Sequence, residues 1–297
     1  MASILKETYK NPADLHCSPK MHEHAEKDRT CFSLEELKLI VAEFNKKSEP
    51  AKQITATTKK GMVAALLKAY KPICDKNQYC WIKQTLAHNT SKLNKLESNF
   101  RVKMPNEWVN NKNTWLNTYD ILYVMKQYEE LYKDFVFLNV TPIDFAEKNS
   151  FGRCIGDMLC DFNVKDLLAR QKTRFGIVFN TDPSTRGGQH WIMIYCNLDS
   201  KKPNYGIYFY DSVASPAPHQ VKTFMKKIVG QVPEENRSAF ECKENKIQRQ
   251  YSNYDCGMFC IVFLTQCLKN IKFDIICKNM YTDEKINSLR KVLYRPA

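Results

Sequence analysis

The chain has 297 residues, 43% of them hydrophobic and 12% aromatic, which suits one large or two ordinary folded domains and argues against global disorder. Its net charge of +13 favours anionic partners but determines neither fold nor specificity. There is no run of about 18 apolar residues, so we expect no membrane-spanning helix and no membrane partner. The N-terminal segment lacks the apolar core of a signal peptide, which indicates a soluble protein made in the cytosol. We therefore expect the 12 cysteines to be reduced thiols.

The positive charge is concentrated in the first third of the chain. Residues 1–103 hold 19 Lys and Arg against 11 Asp and Glu, whereas the remainder holds 26 against 21. This excess is consistent with a weak contact between the N-terminal region and nucleic acid. A basic surface that only keeps the protein in solution would give the same count.

The N-terminal region reads as a loose arm followed by helices. Residues 1–30 are polar and lack periodicity, so we predict no regular structure there. Ser33 and Glu36 then stand at the two positions of a capping box, ahead of an apolar helical face. Three helices are predicted: one from Ser33 to about Ser48, one from Thr58 to just before Pro72, and one over Trp81–Leu86.

From Glu107 onward the pattern changes to mixed helices and strands. The polar, lysine-rich stretch 89–106 suits a linker, which divides the chain into a helical domain over 1–103 and a second domain over 104–297. Helices are predicted over 115–132, 219–229, 255–269 and 283–294; strands are predicted over 174–180, 190–198, 205–212 and 239–242. The second and third strands form a hairpin. The fold class is therefore α+β.

Three residues of the second domain carry a possible reaction centre. His190 stands at the start of a predicted strand, Asp211 ends the neighbouring strand, and Cys256 begins an almost wholly apolar helix. A helix N-terminus stabilises a thiolate through its unpaired N–H groups and its positive dipole end. An imidazole takes the thiol proton, and a carboxylate fixes the tautomer of that imidazole. The order His, Asp, Cys predicts a cysteine protease with Cys256 as nucleophile and His190 as base.

Two further residues suit the same site. A tetrahedral intermediate needs hydrogen-bond donors aimed at its oxyanion, and the backbone N–H of Cys256 and the side-chain amide of Gln250 are candidates. Gly257 lets the backbone approach a substrate closely because it has no side chain. Asp199 and Asn204 lie near Asp211 in sequence and remain alternatives as the third member of the triad.

At these residues the chain resembles the clan that contains the SUMO-type deconjugating proteases and the adenovirus protease. The similar segments are TWLNTYDI (114–121), QHWIMIY (189–195), YFYDS (208–212) and QYSNYDCGMFC (250–260). In detail the chain is similar to polyprotein-processing proteases of large DNA viruses of the African swine fever and mimivirus kind, which also carry a helical N-terminal domain. The resemblance implies a central mixed sheet flanked by helices.

The resemblance also implies roles for two tryptophans. Trp191 and Trp115 match residues that in the deSUMOylating enzymes roof a narrow tunnel. Such a tunnel admits little besides glycine, which implies cleavage after Gly-Gly or a similarly small pair. Trp191 is equally suited to being a core aromatic residue.

No cofactor or metal is expected. Cys74 and Cys80, together with Cys17, His22 and His24, would have to form any zinc site, but their spacings are irregular and no C-x2-C pair occurs. We expect a monomer whose partner is a protein substrate.

Three functions remain open at this point. The first is an endopeptidase that matures viral structural precursors in the virion and in the host cytoplasm. The second is an isopeptidase that removes a SUMO-like modifier from host proteins. The third is a basic nucleic-acid-binding protein whose protease-like domain is inert.

Overall fold

The structure is a computed structural model that describes residues 15–296. Within that range the chain divides into two compact units. One consists of residues 105–290, and the other of residues 15–104 together with 291–296. The first half of the predicted N-terminal arm, residues 1–14, lies outside the described residues.

Both units are built from short elements. The helices, in chain order, are α1 (His22–Asp28), α2 (Leu34–Asn45), α3 (Lys59–Cys74), α4 (Gln78–Leu86), α5 (Thr90–Glu97), α6 (Glu107–Asn110), α7 (Thr118–Leu131), α8 (Val164–Ala169), α9 (His219–Gln231), α10 (Glu234–Arg237), α11 (Cys256–Leu268), α12 (Phe273–Asn279), α13 (Asp283–Ser288) and α14 (Arg290–Leu293). The strands are β1 (Val102–Lys103), β2 (Phe135–Pro142), β3 (Arg174–Asn180), β4 (Trp191–Asn197), β5 (Gly206–Tyr210), β6 (Glu241–Glu244) and β7 (Tyr294–Arg295). Within residues 15–296, every helix is too short or too polar to span a lipid bilayer.

The smaller unit packs α2, α3 and α4 around one apolar core. The capping box at the start of α2 is confirmed: Ser33 Oγ accepts from the Glu36 backbone N–H, and Glu36 Oε2 accepts from the Ser33 backbone N–H at 2.8 Å. Strand β7, two residues at the end of the unit, pairs in parallel with β1. The core residues with no exposed surface include Phe32, Leu37, Ile40, Leu66, Trp81 and Ile82.

Three predictions for this unit were wrong. Residues 15–30 are not a loose arm, because α1 and the turns before it bury Met21 and Ala25 in the core. The stretch 89–106 is not an extended linker: it contains α5, whose Leu93 and Leu96 are buried one turn apart. Helix α3 continues two residues beyond Pro72. This proline is exposed and lies in the last turn, where the carbonyl that loses its helical partner belongs to an exposed residue, Lys68.

The prediction that the cysteines are reduced thiols is also corrected in part. Three disulfides join Cys17 to Cys31, Cys74 to Cys80, and Cys154 to Cys160. The other six cysteines are free thiols, of which only Cys242 is exposed. All three cysteines suggested for a zinc site are in disulfides, Cys74 with Cys80 and Cys17 with Cys31. Within residues 15–296, no group of three or more His, Cys, Asp or Glu side chains is placed to hold a metal ion.

The larger unit contains a five-stranded mixed sheet in the order β2-β3-β4-β5-β6. Strand β3 is antiparallel to β4, and β4 is antiparallel to β5, so the predicted hairpin is confirmed. The outer pairs β2–β3 and β5–β6 are parallel. Strand β2 was not predicted, although its alternation of apolar residues resembles that of its neighbours. A mixed central sheet flanked by helices agrees with the predicted fold class.

Helix α11 lies against one face of the sheet and determines where the reaction centre sits. All thirteen of its residues are buried, since it packs against β4 and α7. Gly176 of β3 makes room for it: a Cβ there would lie 2.8 Å from Leu264 Cδ2. On the opposite face Ile192, Ile194 and Cys196 of β4 join a second apolar cluster, as the two-residue period of a strand requires. The N-terminus of α11 therefore lies near the end of the sheet at which β4 begins and β5 ends.

Candidate active site

Cys256 is the first residue of α11 and is 2% exposed. The first turn of a helix leaves its N–H groups without intrahelical partners and carries the positive end of the dipole. Both features stabilise a thiolate at this position. The apolar sequence that follows Cys256 buries the helix and so fixes the thiol at its end.

His190 immediately precedes β4 and lies beside two of the predicted site residues, Asp211 and Cys256. Its Nε2 donates to Asp211 Oδ1 at 2.6 Å, which leaves Nδ1 as the ring nitrogen available to the Cys256 side chain, and Cys256 lies close enough to influence the pKa of the ring. Burial disfavours the imidazolium, but the hydrogen bonds to Asp211 and Cys256 and their charges outweigh it and raise the pKa of His190 to about 9. The surroundings of His190 thus favour its imidazolium form.

Asp211 lies at the end of β5 and is 2% exposed. Its carboxylate accepts from the backbone N–H groups of Val213 at 3.0 Å and Ser215 at 3.1 Å. Asn245 fixes the backbone of Asp211 from β6: its Oδ1 accepts from the Asp211 N–H, and its Nδ2 donates to the Asp211 carbonyl at 2.7 Å. The carboxylate is therefore held in one orientation toward His190. Sequence reasoning missed Asn245, because only the pairing of β5 with β6 brings it next to Asp211.

The alternative third members lie elsewhere in the unit. The Asp199 carboxylate accepts from the Lys201 backbone N–H within its own turn. The Asn204 side chain donates to the Ile271 carbonyl and accepts from the Phe273 N–H. Of the three candidates, Asp211 is the one whose side chain contacts His190.

Gln250 is buried in the loop that leads to α11, 2% exposed. Its Oε1 accepts from Ser212 Oγ at 2.6 Å, and its Nε2 donates to the Ser252 carbonyl at 2.7 Å. An amide nitrogen has two hydrogens, so the second hydrogen of Nε2 remains to donate to a substrate oxygen. The contact with Ser212 connects this amide to the residue directly after Asp211.

The two tryptophans line the same cavity, which has a volume of about 570 Å³. Trp191 is almost fully buried, and its indole Nε1 donates to the Leu116 carbonyl at 2.9 Å. Trp115 is 42% exposed. The loop before His190 forms another wall of the cavity, where Gly188 has a φ of +88° and a Cβ would lie 2.2 Å from Asn180 Nδ2. Both the backbone and the space therefore require glycine at that position.

Gly257 has a different setting from the one expected. A Cβ at this residue would lie 3.0 Å from Leu116 Cβ, 3.2 Å from Trp191 Cδ1 and 3.3 Å from Ile121 Cδ1. The missing side chain thus gives room to neighbouring protein atoms of α7 and β4. Gly257 lets the residues that line the cavity pack directly against the helix that carries Cys256.

A buried ion pair that the sequence did not suggest holds the start of α11. Asp255 Oδ1 accepts from Arg290 Nη2 at 3.2 Å and from Asn287 Nδ2 at 3.0 Å. Burial raises the pKa of Asp255, opposed by its contacts with Asn287, Arg290 and Ser252. The Arg290 guanidinium also lies 4.5 Å from the centre of the Trp108 ring. These contacts position the residue that directly precedes Cys256.

The geometry of a buried thiol at a helix N-terminus, an imidazole beside it and a fixed carboxylate behind that imidazole agrees with a known family. Residues 176–295 match the Ulp1 protease family, C-terminal catalytic domain. This part of the chain is therefore an Ulp1-like domain. The matched segment contains every predicted site residue except Trp115, and it makes the chain a cysteine-type peptidase.

Viral proteins are among the relatives of this chain. A protein of Acanthamoeba polyphaga mimivirus that is named a thiol protease is 22% identical over 296 residues, covering 94% of this chain and 93% of that protein. The SUMO-1 cysteine protease of an African swine fever virus isolate from Kenya is 27% identical over 123 residues, covering 41% of this chain and 44% of that protein. The crystal structure of an African swine fever virus protease superposes with a TM-score of 0.63 at 17% identity, over 98% of this chain and 99% of that one. This last likeness shows a shared fold.

Proposed function

We propose that the chain is a thiol endopeptidase that cuts proteins after Gly-Gly or a similarly small pair, with Cys256 as nucleophile. The observation that carries the proposal is the position of His190, which hydrogen-bonds to Asp211 and has the Cys256 side chain near its ring. A thiol, a base and a group that orients the base are the parts that nucleophilic catalysis needs. The Ulp1-family match supports the same reaction class.

The reaction follows from these positions. The Cys256 thiolate attacks the scissile carbonyl carbon, a C–S bond forms, and the carbonyl oxygen takes the negative charge. The Cys256 backbone N–H and the second hydrogen of Gln250 Nε2 donate to that oxyanion. As the C–N bond breaks, His190 Nδ1 gives its proton to the leaving amine. His190 then removes a proton from water, which attacks the thioester carbonyl and releases the new C-terminus and the thiol.

The cavity supports the preference for small residues. Trp191 is fixed by its hydrogen bond to the Leu116 carbonyl and by contact with the helix at Gly257, so it has little freedom to move aside. Trp115 forms the outer part of the same cavity. In this proposal the substrate residue next to the cut passes between the two indole rings, an arrangement that favours a hydrogen at Cα over a longer side chain. Glycine is the residue that fits.

The biological role that we propose is maturation of viral structural precursors in the virion and at the site of assembly in the host cytoplasm. The similarity to proteins of mimivirus and African swine fever virus supports it. In this role the basic region 1–103, which we propose as a separate domain from 104–297, would bring the protease to its anionic surroundings, with a net +8 from 19 basic and 11 acidic residues.

A peptide panel tests the proposal. The panel varies the two residues before the cut as Gly-Gly, Gly-Ala, Ala-Gly and Leu-Leu, and uses the full chain and the Cys256→Ala variant. We expect cleavage of the Gly-Gly peptide, a loss of at least roughly a hundredfold in kcat/KM for Leu-Leu, and no cleavage by the variant. Equal cleavage of all four peptides by the unchanged chain would contradict the proposed selectivity, and a cleaving Cys256→Ala variant would contradict the mechanism.

A second candidate function is removal of a SUMO-like modifier, because one relative is named a SUMO-1 cysteine protease. It uses the same site and differs in the substrate. Folded SUMO fusions and unfolded peptides with the same Gly-Gly sequence separate the two functions. A kcat/KM for the folded fusion that exceeds that for the peptide by more than roughly a hundredfold assigns the chain to the isopeptidases, because about 3 kcal/mol of binding then comes from the folded modifier.

A further inference from the structure

Ser212 directly follows Asp211 and connects the end of β5 to the loop that carries Gln250. Both residues are buried, with Ser212 1% and Gln250 2% exposed. The Ser212 carbonyl accepts from the backbone N–H groups of Arg249 at 2.8 Å and of Gln250 at 2.9 Å. These two bonds fix the backbone of Gln250 beside Ser212, so the Ser212 hydroxyl is in place to act on the Gln250 side chain.

Two buried partners determine the orientation of the Gln250 amide. Its Nε2 donates to the Ser252 carbonyl at 2.7 Å, and its Oε1 accepts from Ser212 Oγ at 2.6 Å. A carbonyl oxygen can only accept, so the amide atom that faces Ser252 must be the nitrogen. The flipped amide would place Oε1 against the Ser252 carbonyl oxygen, with an acceptor facing an acceptor. The amide therefore has one favourable orientation, which leaves the second hydrogen of Nε2 for another acceptor.

The Ser252 side of this arrangement is also fixed. Asp283, the first residue of α13, accepts through Oδ2 from the backbone N–H groups of Tyr251 at 2.8 Å and Ser252 at 3.1 Å. Ser252 Oγ donates to Asp255 Oδ2 at 3.1 Å. The carbonyl that receives Gln250 Nε2 thus belongs to a loop that is held at several points. The Ser212 hydroxyl supplies the second contact that stops the amide from turning about its last side-chain bond.

We propose that Ser212 is a positioning residue, which orients the Gln250 amide so that the second Nε2 hydrogen is available to the oxyanion of the reaction. This inference rests on the proposed function and adds a residue to it. Without the hydroxyl, Gln250 Oε1 loses its buried donor and the amide is free to turn away from the substrate. Ser212 also connects the two halves of the site, since it follows Asp211 in the chain and hydrogen-bonds to the proposed oxyanion donor.

A double-mutant cycle of Ser212→Ala and Gln250→Ala tests the proposal, with kcat and KM of the full chain measured on a Gly-Gly peptide. We expect Gln250→Ala to lower kcat roughly a hundredfold, because it removes one oxyanion donor. Ser212→Ala should lower kcat roughly tenfold and leave KM within roughly twofold, because the oxyanion forms only after substrate has bound. In the Gln250→Ala background the Ser212→Ala change should lower kcat by less than roughly twofold, because its partner is absent.

The pH profile separates an effect through Gln250 from an effect through the neighbouring Asp211. Ser212→Ala should lower kcat/KM by the same factor at every pH and leave the alkaline limit in place. The matched control is Ser18→Ala, which removes the hydroxyl of a serine that is also 1% exposed and lies in the smaller unit. This control should leave kcat/KM within roughly twofold of the unchanged chain.

Thermal unfolding checks that each variant is folded. If Gln250→Ala is not folded, Gln250→Glu takes its place in the cycle, because it keeps the shape of the side chain and loses the N–H donors. Ser212→Thr, which keeps the hydroxyl, should retain more activity than Ser212→Ala.

Three results would overturn the positioning role while the peptidase function stands. They are an unchanged kcat in Ser212→Ala, an equal loss from Ser212→Ala in both backgrounds, and a displaced alkaline limit. The last would assign Ser212 to the pair of Asp211 and His190. Absence of cleavage by the unchanged chain would refute the proposed function itself, and the role of Ser212 with it.

Discussion

Asp211→Asn removes the negative charge behind His190 and keeps the size of the side chain. The pKa of His190 is raised from 6.5 to about 9; burial lowers it, and the hydrogen bond with Asp211 is the largest of the causes that raise it. A shift from 6.5 to about 9 corresponds to about 3 kcal/mol in favour of the imidazolium. Without Asp211 the contact with Cys256 still raises the pKa and burial still lowers it. We expect the pKa of His190 to fall by roughly one to two units.

The assay is kcat/KM for a Gly-Gly peptide as a function of pH. The ion pair of thiolate and imidazolium is lost when the imidazolium loses its proton, so activity of the unchanged chain should decline as pH rises through about 9. In Asp211→Asn the decline should move to lower pH by the same one to two units. At about pH 8.5 the variant should then have lost a factor of roughly four to thirty in kcat/KM relative to about pH 6.

The raised pKa of His190 also makes the free energy of unfolding depend on pH. A raised pKa stabilises the folded state fully below the unfolded value of 6.5, and this contribution disappears as pH rises through about 9. The difference in free energy of unfolding between the unchanged chain and Asp211→Asn should therefore be largest near pH 6 and shrink toward about pH 9.5, as urea titrations would measure.

Asp199→Asn is the control, since Asp199 lies in a turn and does not contact His190. It should leave the pH profile unchanged. If Asp211→Asn lowers kcat/KM equally at every pH, or if Asp199→Asn moves the alkaline limit, Asp211 does not determine the protonation of His190 and the reasoning is refuted.

Three further predictions concern other positions. Gly257→Ala should cost about 1–2 kcal/mol in urea unfolding and lower kcat/KM, because its Cβ would press on Leu116 and Trp191 at 3.0 and 3.2 Å; unchanged stability would contradict this packing. Trp115→Ala should lower kcat/KM for a Gly-Gly peptide roughly tenfold with little change in melting temperature, as the ring is 42% exposed; a large drop in melting temperature would make it a core residue. Ser33→Ala should destabilise the chain by about 1 kcal/mol, measured by urea unfolding, through loss of the cap of α2, while Ser33→Asp should not.

Much of the fold could be predicted because local signals agreed with tertiary packing. The capping box at Ser33 and the continuous apolar run of β4 are each contained in fewer than ten residues. The wholly apolar α11 is buried, as its composition requires. Where local and tertiary preferences differed, the prediction was wrong: the stretch 89–106 is polar overall, but Leu93 and Leu96 are enough to anchor α5 in the core.

Some residues of the site could likewise be predicted from the sequence, and others could not. The order His190, Asp211, Cys256 was visible because each residue stands at the end of a predictable element, and adjacent strands bring their ends together. Asn245 and Arg290 were not visible, because their importance depends on which strand pairs with β5 and on the chain reversal that brings α14 back to the start of α11. Disulfides were missed because cysteine usage was judged from the expected compartment alone, whereas pairing depends on which cysteines the fold brings together.

The most direct test of the central claim is covalent capture with a short peptide whose C-terminal Gly-Gly ends in a vinyl methyl ester. A thiolate that attacks substrate at the cleaved position adds to the vinyl group, and mass spectrometry of the digested protein locates the adduct. We predict one adduct, at Cys256. Cys242 should carry none, although it is the exposed free thiol. An adduct at Cys242 in place of Cys256, or one that persists in Cys256→Ala, would contradict the assignment of the nucleophile.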